Sequence, residues 1–239
     1  MKTIAKNAIY RIPMLGEIAR KTRLYWARVA LPFRNSCDYW EQRYVKGGTS
    51  GDGSYGRLAE FKAEILNAFV AKNQISSVLE FGCGDGHQLS LANYPRYVGV
   101  DVSQAAIDLC RERFRDDNTK KFVHLDPSRA SDGTPQFRAE LVLSLDVIYH
   151  LVEDNVYESY MNTLFDAAEK FVIIYSSNKE KAGILPHVRH RKFDTWISEH
   201  RPQWAFTEHI PNRYPQRDNA AEGTSQADLF VFANTQSSC

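Results

Sequence analysis

The sequence contains no apolar run approaching the ~20 residues that carry a helix across a bilayer. It has almost no net charge, with 30 Lys/Arg against 29 Asp/Glu leaving +1 when His is neutral. Cysteine is scarce. Cys37, Cys83, Cys110 and Cys239 show neither paired spacing nor a neighbouring His in a zinc-like pattern, which argues against a disulfide scaffold and a structural metal site. A reducing, cytoplasmic compartment is expected on that ground. Near the N-terminus Arg11 and Pro13 interrupt any apolar core, so a cleaved signal peptide is not expected. There are no internal repeats. Hydrophobic residues at 43% and charged residues at 25% are those of an ordinary globular chain. Its 239 residues suit one α/β domain with an appendage.

The small net charge hides an asymmetry. Residues 1–36 carry eight Lys/Arg and one acid, Glu17, whereas the remainder carries 22 basic and 28 acidic residues. Ile4, Ala8, Ile12, Leu15, Ala19, Tyr25 and Val29 recur there at helical intervals with Lys and Arg between them, which predicts a basic, partly helical arm. Such an arm suits an anionic membrane surface or an acidic partner protein, and peripheral attachment at the inner face of the membrane would follow from the first. Packing on its own domain or on a second copy is the alternative. Oligomeric state is not legible in the sequence.

Residues 37–239 are expected to form the main domain, with 37–75 as a helical cap and glycine-rich lid. Tyr39-Trp40-Glu41-Gln42-Arg43-Tyr44 precedes the glycine-rich stretch 47–54, too costly in backbone entropy for a helix or strand and read as a mobile loop. Leu58, Phe61, Ile65, Leu66 and Phe69 form an apolar stripe at helical spacing. From Ser76 onward strands and helices alternate. Strands are expected at 77–81, 97–102, 122–125, 141–145 and 171–175, and helices at 86–92, 104–115 (N-capped by Ser103) and 155–168. A helix at 193–200 and extended segments at 205–209 and 228–233 follow, with 212–226 as an exposed connection. The pattern predicts a doubly wound, mostly parallel, seven-stranded α/β sheet with helices on both faces and a C-terminal antiparallel hairpin.

Two elements carry chemistry. Val78-Leu79-Glu80-Phe81-Gly82-Cys83-Gly84-Asp85-Gly86 is an apolar strand entering Gly-x-Gly-x-Gly. A dinucleotide loop would place its third glycine where His87 stands, and no phosphate-loop Lys-Ser/Thr follows. Then Val98-Gly99-Val100-Asp101 ends a second strand in an acid able to accept hydrogen bonds from two ribose hydroxyls. Together these resemble the class I methyltransferases that use S-adenosylmethionine (SAM), over about residues 38–177. The resemblance implies that Glu80, Gly82, Cys83, Gly84 and Gly86 line the methionine end of SAM, and that Asp101, followed by Val102, holds the ribose. It implies Asp126 at the adenine amino group and the backbone at Ser144 and Leu145 near the SAM amino group. Tyr39, Trp40 and Arg43 resemble the helix that folds over the methionine carboxylate, with packing as their alternative role.

Methyl transfer to a hydroxyl benefits from a general base. Asp146 and His150 follow the fourth strand and are four residues apart, so on a helical turn they share a face and form the candidate catalytic pair. His187-Val188-Arg189-His190-Arg191 is a second candidate group, or else a solvated basic run. Base-amino methylation is disfavoured because Leu145-Asp146-Val147-Ile148 stands where Pro-Pro-Tyr/Phe/Trp would be, and cytosine-carbon methylation because no cysteine adjoins a proline. A broad nucleic-acid face is disfavoured by the acidic main domain. No metal is expected: Asp146 and Asp154-Asn155 only mimic the spacing of metal-dependent members. Taken whole, the sequence is also similar to methyltransferases found beside bacterial surface-polysaccharide enzymes, which implies a saccharide or other small-molecule hydroxyl, in a glycan, as acceptor. A non-catalytic SAM-binding subunit and a nucleic-acid methyltransferase are the alternatives.

Overall fold

The computed structural model describes residues 33–125, 137–183, 185–216 and 223–236. Two helices lead in, α1 (Ser36–Val45) and α2 (Gly56–Lys72). Asn35 caps α1, its side chain accepting from Asp38 N–H. There follow β1 (Val78–Phe81), β2 (Tyr97–Asp101), α3 (Gln104–Arg113), β3 (Lys120–His124), β4 (Ala139–Leu145), α4 (Asp154–Asp166) and β5 (Ala168–Ser176). A two-residue pair, β6 (Lys181–Ala182) and β7 (Arg189–His190), precedes α5 (Phe193–His200), β8 (Trp204–Ile210) and β9 (Asp228–Asn234).

Seven strands form one sheet in the order β3-β2-β1-β4-β5-β9-β8. The first five run parallel, and β9 pairs antiparallel with both β5 and β8. The fold class is the one expected. Side chains alternate between two cores, as the two-residue period of a strand requires. Val78, Leu141, Leu143 and Ile173 face α2 and α3, meeting Phe61, Leu66, Val70 and Ile107. Leu79, Phe81, Val142, Val172 and Ile174 face α4 and α5, meeting Met161, Leu164, Phe165, Phe193 and Ile197. Burial on both faces explains why β1, β4 and β5 read as continuous apolar runs.

Four expectations change. The helix expected at 86–92 is only a 3-10 turn at Leu89–Leu91, so no α-helix N-terminus backs the glycine loop. The stretch 47–54 is not a bare loop: it contains a 3-10 turn, Asp52–Ser54, and is tied to its surroundings. The connection 212–226 is not wholly exposed, since buried Asn212 donates from Nδ2 to Tyr175 Oη at 2.9 Å. The arm's boundary also moves. Ser36 is buried, and its Oγ lies within hydrogen-bond distance of Glu153 Oε2 (2.6 Å) and His150 O (2.7 Å), which makes it part of the domain. Residues 1–32 of the arm, Asp126 and Cys239 lie outside the described residues.

Candidate active site

A parallel sheet places its ligands outside the carboxyl ends of its strands, and strand order here reverses between β1 and β4. A cleft with about 980 Å³ of free space, counted out to its mouth, lies at that edge. Its walls include the β1–β2 ends, the β4 exit, α1 residues Trp40 and Tyr44, and α4 residues Val156 and Tyr160.

The glycine loop forms the floor. Gly82, Gly84 and Gly86 all have positive φ (80°, 57° and 73°), a region that L side chains rarely adopt. Gly82 N–H and Cys83 N–H both donate to Val100 O, at 2.8 and 3.1 Å, drawing the loop against β2. Gly82, Cys83 and Gly84 line the cleft, but Gly86 does not: a Cβ there would lie 2.9 Å from the Phe114 ring and 3.0 Å from Cys110 Sγ. Close packing on α3, rather than a ligand, requires that glycine. At Gly82 a Cβ would come within 2.4 Å of Val147 Cγ2, which ties the loop to the β4 exit.

Asp101 and Val102 line the cleft at the end of β2. Asp101 accepts Gly84 N–H at Oδ2 and Ser103 N–H at Oδ1, both at 2.9 Å. The carboxylate retains acceptor capacity for a ligand hydroxyl. Burial raises its pKa despite those bonds. Glu80, also lining, accepts Tyr97 Oη at 2.6 Å, and burial pushes its carboxyl up to about 7. Two buried carboxyl groups in one cleft suit a ligand that brings hydroxyls at one end and a cation at the other.

At the β4 exit Leu145 lines the cleft, while Ser144 is fully buried and accepts from Tyr160 Oη at 2.7 Å. Asp146 adopts φ 62°. Its Oδ1 accepts Tyr149 Oη and its Oδ2 the Lys62 ammonium, each at 2.6 Å. Asp146 and His150 therefore do not form the expected pair. His150 stands on a 3-10 turn, Ile148–His150, and its Nδ1 lies 3.0 Å from His187 O. A carbonyl can only accept, so Nδ1 carries the proton and Nε2 is left with a lone pair. Burial pushes the His150 pKa down to about 4, keeping the ring neutral. Its neighbours are aromatic: the Trp40 ring edge-on at 4.8 Å between centroids and the His187 ring stacked at 5.6 Å.

Tyr39 and Arg43 are also placed differently from the expectation, since neither lines the cleft. Tyr39 stacks on His187 at 4.1 Å, and Arg43 Nε donates to Thr49 O at 2.6 Å with its guanidinium over Trp40. Both act as supports. The 187–191 run is neither an anion site nor a solvated face. Arg189 and Arg191 bind Asp154 and nearby carbonyls, and His190 Nδ1 meets Ser177 Oγ at 2.6 Å. Lys62 is the residue missed from the sequence. Fully buried, it lines the cleft from α2, where the helical stripe reads simply as a core-facing surface. A charged residue within that stripe was the available signal. Among the described residues no group of three or more His, Cys, Asp or Glu could hold a metal ion.

No curated protein sequence matches this chain. Residues 79–170, from β1 into β5, match a family model described as a methyltransferase domain. They hold the glycine loop, Asp101 and His150. The chain superposes on the N-methyltransferase NodS from Bradyrhizobium japonicum WM9, in complex with S-adenosyl-L-homocysteine (SAH). The TM-score is 0.65 at 16% identity, over 84% of this chain and 98% of NodS. It superposes on the magnesium protoporphyrin IX methyltransferase ChlM from Synechocystis PCC 6803 with bound SAH, with a TM-score of 0.57 at 15% identity, over 86% of this chain and 98% of ChlM. For the methyltransferase domain of bacterial CtHen1 the values are 0.55, 19%, 72% and 96%. At these identities the likeness speaks for the fold alone, a seven-stranded, mostly parallel α/β sheet with a C-terminal antiparallel pair. No described helix is long and apolar enough to cross a membrane.

Proposed function

We propose that this protein transfers a methyl group from SAM to a hydroxyl of a small-molecule acceptor, a saccharide hydroxyl being the class we favour. The observation that carries the cofactor assignment is the glycine loop closed onto Asp101, inside a methyltransferase domain. Asp101 retains acceptor capacity for the ribose hydroxyls, and Glu80 offers a carboxylate to the amino end. Gly82, Cys83, Gly84, Val102 and Leu145 supply a close-fitting wall. When bound, SAM supplies an electrophilic methyl carbon on a sulfonium, so the protein's part is to align the acceptor and exclude water.

His150 supplies the base. Its Nδ1–H is fixed on the His187 carbonyl, which turns the Nε2 lone pair into the acceptor of a proton. The Trp40 ring, which lines the cleft beside His150, suits the apolar face of a sugar. The Lys62–Asp146 pair holds the turn on which His150 stands. The basic arm that precedes Ser36 is proposed to bring the domain to an anionic surface or partner.

Calorimetry with SAH tests the cofactor assignment. The parent is expected to bind, and Asp101→Ala to lose about 2–4 kcal/mol through two charge-assisted hydrogen bonds. Equal affinity in a folded variant would remove Asp101 from the site. Labelled SAM with fractionated small molecules then tests the acceptor class: label confined to nitrogen would overturn the hydroxyl assignment.

A further inference from the structure

Residues 47–55 join α1 to α2 as a strap over the cleft, with Ser50 and Ser54 in its lining. Four glycines in residues 47–54 leave this segment few side chains with which to pack. Polar contacts with the glycine loop hold it instead. Ser50 N–H donates to Asp85 Oδ2 at 3.0 Å, and Tyr55 Oη donates to the same oxygen at 2.7 Å. In return Asp85 N–H donates to Ser50 Oγ at 2.9 Å, an oxygen that also meets Tyr44 Oη at 2.9 Å. The Tyr55 ring stacks on His87 at 4.0 Å with 8° between planes. Asp85 is buried and does not line the cleft: its Oδ2 holds the strap, while its Oδ1 accepts His87 N–H at 3.0 Å and fixes the carboxylate in place.

Two glycines record how closely the strap lies. A Cβ at Gly84 would sit 2.3 Å from Ser50 Oγ and 2.9 Å from Tyr44 Oη. The glycine in the loop therefore makes room for the strap. A Cβ at Gly53 would sit 2.7 Å from Asp146 Oδ2, so the strap rests on the β4 exit as well. It touches both halves of the cleft floor.

We propose that Asp85 is a positioning residue: through Ser50 and Tyr55 it latches the strap shut across the cleft, so that cofactor exchange waits on the opening of this latch. The inference rests on the cleft being a SAM site, as proposed above. Opening breaks the Ser50–Asp85 bonds in both directions, and every entry or exit of ligand by this wall passes through that step.

The test uses the full chain with Ser50→Ala, Tyr55→Phe and the double substitution, whose folding is checked by circular dichroism. Tyr55→Phe removes a single oxygen and leaves the ring stack, so it keeps the test sound if Ser50→Ala folds poorly. SAH dissociation by stopped-flow fluorescence and tryptic cleavage after Lys46 in the ligand-free protein are measured together. The double variant is expected to release SAH about tenfold faster or more and to be cut correspondingly faster. SAH release and cleavage both within twofold of the parent would overturn the latch. If the parent does not bind SAH, the cofactor assignment fails, and cleavage of the ligand-free variants decides the latch alone: faster cutting supports it and equal cutting sinks it.

Discussion

Lys62→Met should be among the most damaging single substitutions in the chain. The lysine side chain has no exposed surface and its ammonium lies 2.6 Å from Asp146 Oδ2, whose own side chain is 10% exposed. Methionine fills similar volume, so the cost is electrostatic: a buried carboxylate loses its counter-ion and keeps one hydrogen bond, from Tyr149. Breaking a buried pair from one side costs about 3–5 kcal/mol. Asp146→Asn strands the ammonium instead and should cost a similar amount, although Asn tolerates φ 62° well. The double variant removes both charges, and its loss should fall short of the sum of the singles by at least about 1 kcal/mol. Urea unfolding followed by circular dichroism measures all four corners of this cycle. A Lys62→Met loss below about 1 kcal/mol, or strictly additive singles, would refute the idea that the pair is a buried, mutually dependent unit.

Gly82→Ala should both strain the loop and drive a methyl into Val147 Cγ2, lowering Tm and SAH affinity; Val147→Ala should recover part of the loss. No recovery would show that φ alone is limiting. Acid should weaken the fold through two histidines, because burial pushes His150 and His187 each down to about 4. Above the unfolded value near ~6.5 neither state binds those protons. As pH falls from there towards 4 the unfolded chain takes them up first and stability is lost. A His150→Gln, His187→Gln variant should flatten that slope in Tm measured from pH 8 to 5, and an unchanged slope would assign it to other groups. His150→Ala should cut turnover by about 10²–10⁴-fold with SAH affinity kept. The parent's rate should show no His150 ionisation between pH 6 and 8, since the ring is already neutral there.

Much of the sheet was legible because its strands are buried on both faces. Val78–Phe81, Leu141–Leu145 and Phe171–Tyr175 had no other reading, and the Ser103 cap marked the start of α3 to the residue. The glycine loop and Asp101 were legible from spacing. Asp146 and His150 mislead because a four-residue spacing brings side chains together only on an α-helix, whereas here a left-handed residue and a 3-10 turn intervene. Arg43 and Gly86 mislead for another reason. Residue type suits several partners, and only the fold shows that Thr49 and α3 take them. Lys62 escaped notice because its partner lies 84 positions away.

The place of β9 bears on how the chain is made. It follows every other described strand in sequence yet sits inside the sheet, between β5 and β8. Until residues 228–234 emerge from the ribosome, the edge of β5, with its Phe171-Val172-Ile173-Ile174-Tyr175 run, has no β9 to cover it. An uncovered apolar strand edge is an aggregation site. Nascent or prematurely stopped chains should therefore depend on chaperones at a stage when the cofactor cleft, built from β1, β2 and β4, has already been synthesised.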